Sequence, residues 1–210
     1  MTKSITRGRP SDPGKQEQQR GKLLTSAQQL LTKKSYRDIS IRELASHAGV
    51  NSAMISYYFE SKEGLFLALL KQISENHFSK MQAIAKSDDP IKAFIFFILN
   101  MLSKNSGFAR FVYDEFGQNR SQLGDTFMQL FPKRMANILP RLIVKHTAIR
   151  NMKQAKYAAF NLMSMIIMPF VGRSVRLQAW EIGDEIIFSK DWAEHIYQQF
   201  IFGCNAKQKI

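Results

Sequence analysis

Little in this sequence can do covalent chemistry. His47, His77, His146 and His195 are widely separated and fall in no HExxH or other metal-ligand spacing, and no glycine-rich phosphate loop is present. Cys204, the single cysteine, has no base near it in sequence and is expected to be a small buried residue. No catalytic residue, metal site or cofactor is therefore expected. Two segments have types and spacings suited to binding. Arg7-Gly8-Arg9-Pro10 flanks a glycine with two guanidinium groups. That arrangement lets the backbone approach a narrow A·T minor groove while the cations follow its negative potential. The second is Ser40–Phe59, SIRELASHAGVNSAMISYYF.

The elements that must position this second segment follow from its spacing. Ser40 and Glu43 form a capping box that starts a short helix. Ile41, Leu44, Ala45 and Ala48 are its expected buried face, and Gly49 its stop. Asn51 or Ser52 starts the next helix, which runs to Phe59 and is only about two turns long. A short capped helix, a tight turn and a second short helix are the parts of a helix-turn-helix, whose second helix enters a major groove. An ordinary helical hairpin has the same outline. Its outer face, however, would carry Glu and Lys rather than neutral small and aromatic residues.

Around this core, residues 1–16 read as a flexible basic arm, 17–77 as the DNA-binding domain with its motif at 40–59, and 78–210 as a second helical domain. Leu23, Leu24, Ala27, Leu30 and Leu31 make one apolar helical face. Ser61 caps a helix expected over 62–86. Further helices are expected near 90–104, 107–117, 121–146, 152–171 and 190–204, with Pro132, Pro140 and Pro169 kinking or interrupting them. No strand alternation is sustained. The fold class is all-α: an N-terminal three-helix helix-turn-helix domain followed by an all-helical ligand-binding and dimerisation domain.

Residues 17–77 resemble the TetR-type transcriptional regulators. The likeness rests on Tyr36, Ile41-Arg42-Glu43-Leu44-Ala45, Ala48-Gly49-Val50, Tyr57-Tyr58-Phe59 and Ser61-Lys62-Glu63-Gly64-Leu65-Phe66, in that order and spacing. It implies that Asn51, Ser52, Ala53, Met54 and Ser56 face the groove and that Tyr57 and Tyr58 set hydroxyls on phosphates. It also implies phosphate contacts from Lys62 and Arg42, with Phe59 packing inward. Relatives often carry Lys at the Ser52 position and an aromatic residue at the Ser56 position. No Arg, Lys or Gln lies between Asn51 and Phe59, so only Asn51 has the bidentate reach for a purine. Shape, phosphates and thymine methyls are left to supply specificity. Arg7 to Pro10 also looks like the core of an AT-hook; a merely solvating basic tail has the same composition.

Composition supports an anionic partner. Thirty Lys and Arg against seventeen Asp and Glu give +13, and residues 1–37 alone carry nine basic and two acidic side chains. Duplex DNA is the expected partner, with a membrane surface the weaker alternative. The lone cysteine and the absence of an apolar leader point to the cytoplasm, and the apolar runs are too short and polar to span a bilayer. Thirteen of the sixteen Phe and eight of the ten Met follow residue 80. Phe94, Phe97, Met101, Phe108, Phe111, Phe116, Phe127, Phe160, Met163 and Ile167, with Asp114, are candidates to line a cavity for an apolar or aromatic small-molecule effector. Side chains of these types more often form plain core than line a cavity. Ala155, Ala158, Ala159 and Leu162, with Trp192, Ile196, Phe200 and Gly203, offer small and apolar stripes for a homodimer face, and the resemblance implies that the last two long helices pair across it. The expected function is a ligand-responsive DNA-binding regulator, a repressor released from a palindromic operator. The alternative is an architectural or adaptor DNA-binding protein that takes no ligand.

Overall fold

The computed structural model describes residues 13–104, 107, 111 and 121–205, and these are helical with no strand. Arg7, Arg9, Phe108, Asp114 and Phe116 lie outside the described residues. Helix α1 spans Pro13–Leu31 and buries Leu23, Leu24, Ala27, Leu30 and Leu31 as their spacing predicts. It starts earlier than expected: residues 13–16 belong to the helix rather than to the arm, because Pro13 suits a first turn, where no amide partner is needed. Helix α2 (Ile41–Ala48) has Ser40 accepting the Glu43 amide at 3.2 Å and ends at Gly49 with φ of 65°. Ile41 is exposed, and Ile39 in the preceding connector takes the buried place. Ser26 fastens α1 to α2, donating to the Leu44 carbonyl at 3.1 Å and meeting His47 Nδ1 at 3.0 Å.

Helix α3 (Ala53–Phe59) is seven residues long, anchored by Ile55 and Phe59. Glu60 ends it at φ of 67°, and Ser61 then caps α4 (Lys62–Ser79) by accepting the Gly64 amide at 3.0 Å. Helix α4 stops at Ser79 rather than 86. There Ser79 Oγ turns back onto the Asn76 carbonyl, and a short α5 (Met81–Ile84) follows. Helix α6 (Pro90–Lys104) matches its expected bounds, with Asp89 accepting the Lys92 amide.

The expected helix 121–146 is two: α7 (Gln122–Leu130) and α8 (Pro132–His146). Pro132 disfavours helical backbone at Phe131 and opens the new helix itself. Helix α9 (Met152–Val171) tolerates Pro169 near its end, then bends by 73° into α10 (Arg173–Ala179). This helix and α11 (Asp184–Ile187) were not anticipated. Arg176, only 6% exposed, holds them: its guanidinium donates to the Pro169 carbonyl at 2.9 Å, to the Ile182 carbonyl and to Asp184. Helix α12 (Lys190–Asn205) closes the core. It is tied to α6 by the Lys92–Glu194 pair at 2.8 Å and by the Tyr197 hydroxyl on Asp89.

Candidate nucleic-acid interface

Helix α3 is too short to be stable alone. Its inward side is fixed by Ile55 at 0% and Phe59 at 7% exposure. Ser52, Ala53, Ser56 and Tyr57 are left exposed on the other side, while Met54 is half-buried against the core. This side is neutral and small, as expected from the sequence. Asn51 is exposed next to it, but its Oδ1 accepts the Ala53 amide at 2.9 Å and so caps α3. A bidentate grip on a purine needs that oxygen, so the one side chain expected to reach a base that way is engaged in starting the helix.

The two tyrosines diverge. Tyr57 is mostly exposed, at 63%. Tyr58 is half-buried, donates its hydroxyl to Gln19 Oε1 at 3.0 Å and packs edge-on against Tyr57 at 4.9 Å. It therefore ties α3 to α1 instead of offering its hydroxyl outward.

Lys62 departs furthest from expectation. Its Nζ donates to the Tyr36 carbonyl at 3.0 Å and the Ile39 carbonyl at 2.9 Å, and lies 4.3 Å from the centre of the Tyr36 ring. Burial lowers its pKa, with Asp38 opposing that shift. The ammonium stitches the α1–α2 connector to the start of α4 and is not a free cation poised for phosphate. Arg42 is exposed on α2, as a phosphate contact requires. Arg37 and Lys33 are exposed in or beside the stitched connector, and the sequence pattern singled out neither. Their signal was only their share of the N-terminal charge.

Farther from this face, the structure separates the effector and dimer candidates. Phe94 and Phe111 are fully buried, Phe127 is buried, and Phe97, Met101, Met163 and Ile167 are half-buried against the same core. Phe160 is 74% exposed and lines no interior. Ala155, Ala159, Leu162, Ile196 and Phe200 are buried within their own chain, so they are core rather than a free dimer face. Their period was right and their direction was not: the small side chains on α9 let α8 pack closely against it. Ala158 and Trp192 are half-buried, and Gly203 is exposed. The large exposed apolar side chains on α9 and α12 are instead Met152, Tyr157, Phe160, Met168 and Phe202.

Two further groups bear on chemistry. Burial raises the Cys204 thiol to about 11, which keeps it a neutral buried side chain. Among the described residues no cluster of three His, Cys, Asp or Glu could hold a metal. Phe111 stacks on Phe66 at 6.3 Å and meets Tyr36 edge-on at 5.9 Å, so the second domain presses on the very connector that Lys62 stitches.

Comparison with known proteins places this geometry. Residues 23–69 match the profile of bacterial regulatory proteins of the tetR family. The probable HTH-type transcriptional regulator YttP of Bacillus subtilis is 32% identical over 100 residues, 45% of this chain and 48% of YttP. The HTH-type transcriptional regulator EthR of Mycobacterium tuberculosis is 30% identical over 84 residues, 40% of this chain and 39% of EthR. The chain thus spans about half, or less, of the relatives it matches in sequence. In structure it resembles the transcriptional regulator FadR of Bacillus subtilis in complex with stearoyl-CoA. The TM-score is 0.70 at 16% identity, covering 87% of this chain and 98% of FadR. No single helix among the described residues is long and apolar enough to cross a membrane. Residues 23–69 form a helix-turn-helix domain of the TetR family, and the chain that carries it has the all-helical fold of that family's regulators.

Proposed function

We propose that this protein is a cytoplasmic, dimeric, ligand-responsive transcriptional repressor that binds a palindromic operator and leaves it when a small, mostly apolar effector binds. The observation that carries this is α3: a seven-residue helix anchored by Ile55 and Phe59 that presents Ser52, Ala53, Ser56 and Tyr57 to solvent. Such a face offers hydroxyls and methyls and few strong base readers. Useful specificity then requires two half-sites read together, and hence a two-fold dimer. Arg37, Arg42 and Tyr57 are assigned to phosphates. The arginines at 7 and 9 are assigned to the flanking minor groove. The exposed apolar side chains of α9 and α12, led by Phe160 and Phe202, are assigned to the dimer contact.

Helix α4 carries the coupling. It begins beside the reading helix and ends deep in the second domain, where Ser74 donates to the Leu130 carbonyl at 3.0 Å and the Arg134 guanidinium lies 3.8 Å over the Phe78 ring. An effector that repacks this end tilts the helix and changes the spacing of the two reading helices. Rigid half-sites resist that change. FadR, which shares the fold, was crystallised with stearoyl-CoA, and that supports an effector with a substantial apolar part. Selection of bound duplexes from a random pool tests the proposal. It predicts an inverted repeat of two half-sites; enrichment of single unsymmetric sites would refute it.

A further inference from the structure

A cleft of about 190 Å³ opens between α1, α4 and α6, where the helix-turn-helix domain meets the second domain. Its floor is apolar, formed by Leu69, Ile73 and Phe97. Its rim carries Lys80 and Lys104, and among the described residues no carboxylate lines it. Inside stands His77, 4% exposed, stacked on Phe97 at 4.9 Å and edge-on to Phe78 at 4.8 Å. Its Nδ1 is buried with no hydrogen-bond partner. Buried polar atoms in folded proteins are almost always paired, and an unpaired one is costly. Phe97 and Phe78 hold the imidazole in place at the wall of the cleft. Among the described residues the charged groups near His77 are Lys80 at the rim and Arg134 on α8; burial, helped by the positive charge of Arg134, holds the imidazole neutral, its pKa pushed down to about 4.

We propose that this cleft binds a small organic anion, an apolar body ending in a carboxylate or phosphate, with the apolar part on Phe97 and the charged oxygens held by the two lysines beside the His77 ring. The volume corresponds to about six waters' share of liquid, which suits a compact ring or short chain with one charged group. Gln28 brings α1 to the cleft and Asn76 brings α4. An occupant therefore touches both helices whose relative placement fixes α3. The regulatory consequence rests on the function proposed above and adds the anionic group to its apolar effector; binding itself does not depend on that function.

The test is ¹⁵N-imidazole NMR of the full chain, with only four histidines to assign, titrated with benzoate, phenyl phosphate, inorganic phosphate and benzyl alcohol. The expected result is a saturable shift of the His77 signal with benzoate or phenyl phosphate. Affinity should fall at least tenfold for benzyl alcohol and for inorganic phosphate. The Lys80→Gln, Lys104→Gln double variant should weaken organic-anion binding at least tenfold with the thermal midpoint unchanged, since both side chains are exposed. No saturable shift, equal binding of benzyl alcohol, inorganic phosphate binding as tightly as phenyl phosphate, or an unaffected double variant each overturns the site. Affinity for the selected duplex is measured in the same buffer with and without benzoate and phenyl phosphate. DNA binding without any His77 response defeats the site alone. A His77 response with no effect on DNA binding leaves the site and defeats its regulatory consequence.

Discussion

Replacing Lys62 with Met separates a structural role from a DNA contact. The ammonium donates to two backbone carbonyls, Tyr36 at 3.0 Å and Ile39 at 2.9 Å, while the aliphatic stem, which Met keeps, covers part of the connector. A charged hydrogen bond contributes about 1.5–3 kcal/mol when well buried. Lys62 is only partly buried, so water replaces some of the loss, and about 1–3 kcal/mol in total is expected. In a chain of this length that lowers the thermal midpoint by several degrees. DNA binding is then followed against salt at a temperature where the variant is folded. A phosphate contact contributes about 0.9 to the slope of log K against log salt, so losing one per protomer would lower a dimer's slope by about 1.8. The structure predicts a destabilised protein with the slope unchanged. An unchanged midpoint with a slope lowered by that amount would refute the stitching role and restore Lys62 to the phosphates.

Further expectations concern other sites. His77 stays neutral when folded down to about pH 4 but charges near 6.5 when unfolded, so the unfolded chain binds the extra proton. Its contribution to stability is present above pH 6.5 and is lost as pH falls toward 4, by about 3 kcal/mol in all. Urea unfolding at pH 7.5 and 4.5 should show that drop in the native chain and a smaller one in His77→Phe. Phe160→Glu or Phe202→Glu should give a monomer in sedimentation velocity. Ile196→Ala, at a site 2% exposed, should instead cost about 2–5 kcal/mol of folding stability. Glu60→Gly should raise stability by about 1 kcal/mol in thermal melts, because Glu60 holds a φ of 67° that favours glycine. Tyr57→Phe should weaken binding to all duplexes alike in anisotropy titrations, whereas a loss confined to one sequence would make Tyr57 a base reader.

The elements were legible where local chemistry decides them. Ser40, Gly49 and Ser61 mark their helix boundaries through caps that depend on nearby backbone alone. The helices expected near 90–104 and 152–171 also start where expected, at caps that the structure shows to be Asp89 and Asn151. The inward packing of Phe59 followed from the family resemblance. Lost to the sequence was whatever depends on a distant partner. Lys62 and Tyr58 looked like exposed polar residues, yet their partners are 23 to 39 positions away in Ile39, Tyr36 and Gln19. The apolar stripes of α9 and α12 were visible, but periodicity does not say whether a stripe meets its own chain or another. Helices α10 and α11 depend on one buried arginine, and nothing in their few residues announces it.

The central claim, that the exposed side of α3 reads DNA, is tested most directly by repeating the random-duplex selection with Ala53→Gln beside the native chain. Ala53 is exposed at the first position of α3, and a glutamine there can grip adenine through its N6 and N7. The account predicts a symmetric pair of half-sites for both proteins, with the preferred base changed at one position in each half-site for the variant. An unchanged preference at every position, at undiminished affinity, would place the reading surface elsewhere on the protein.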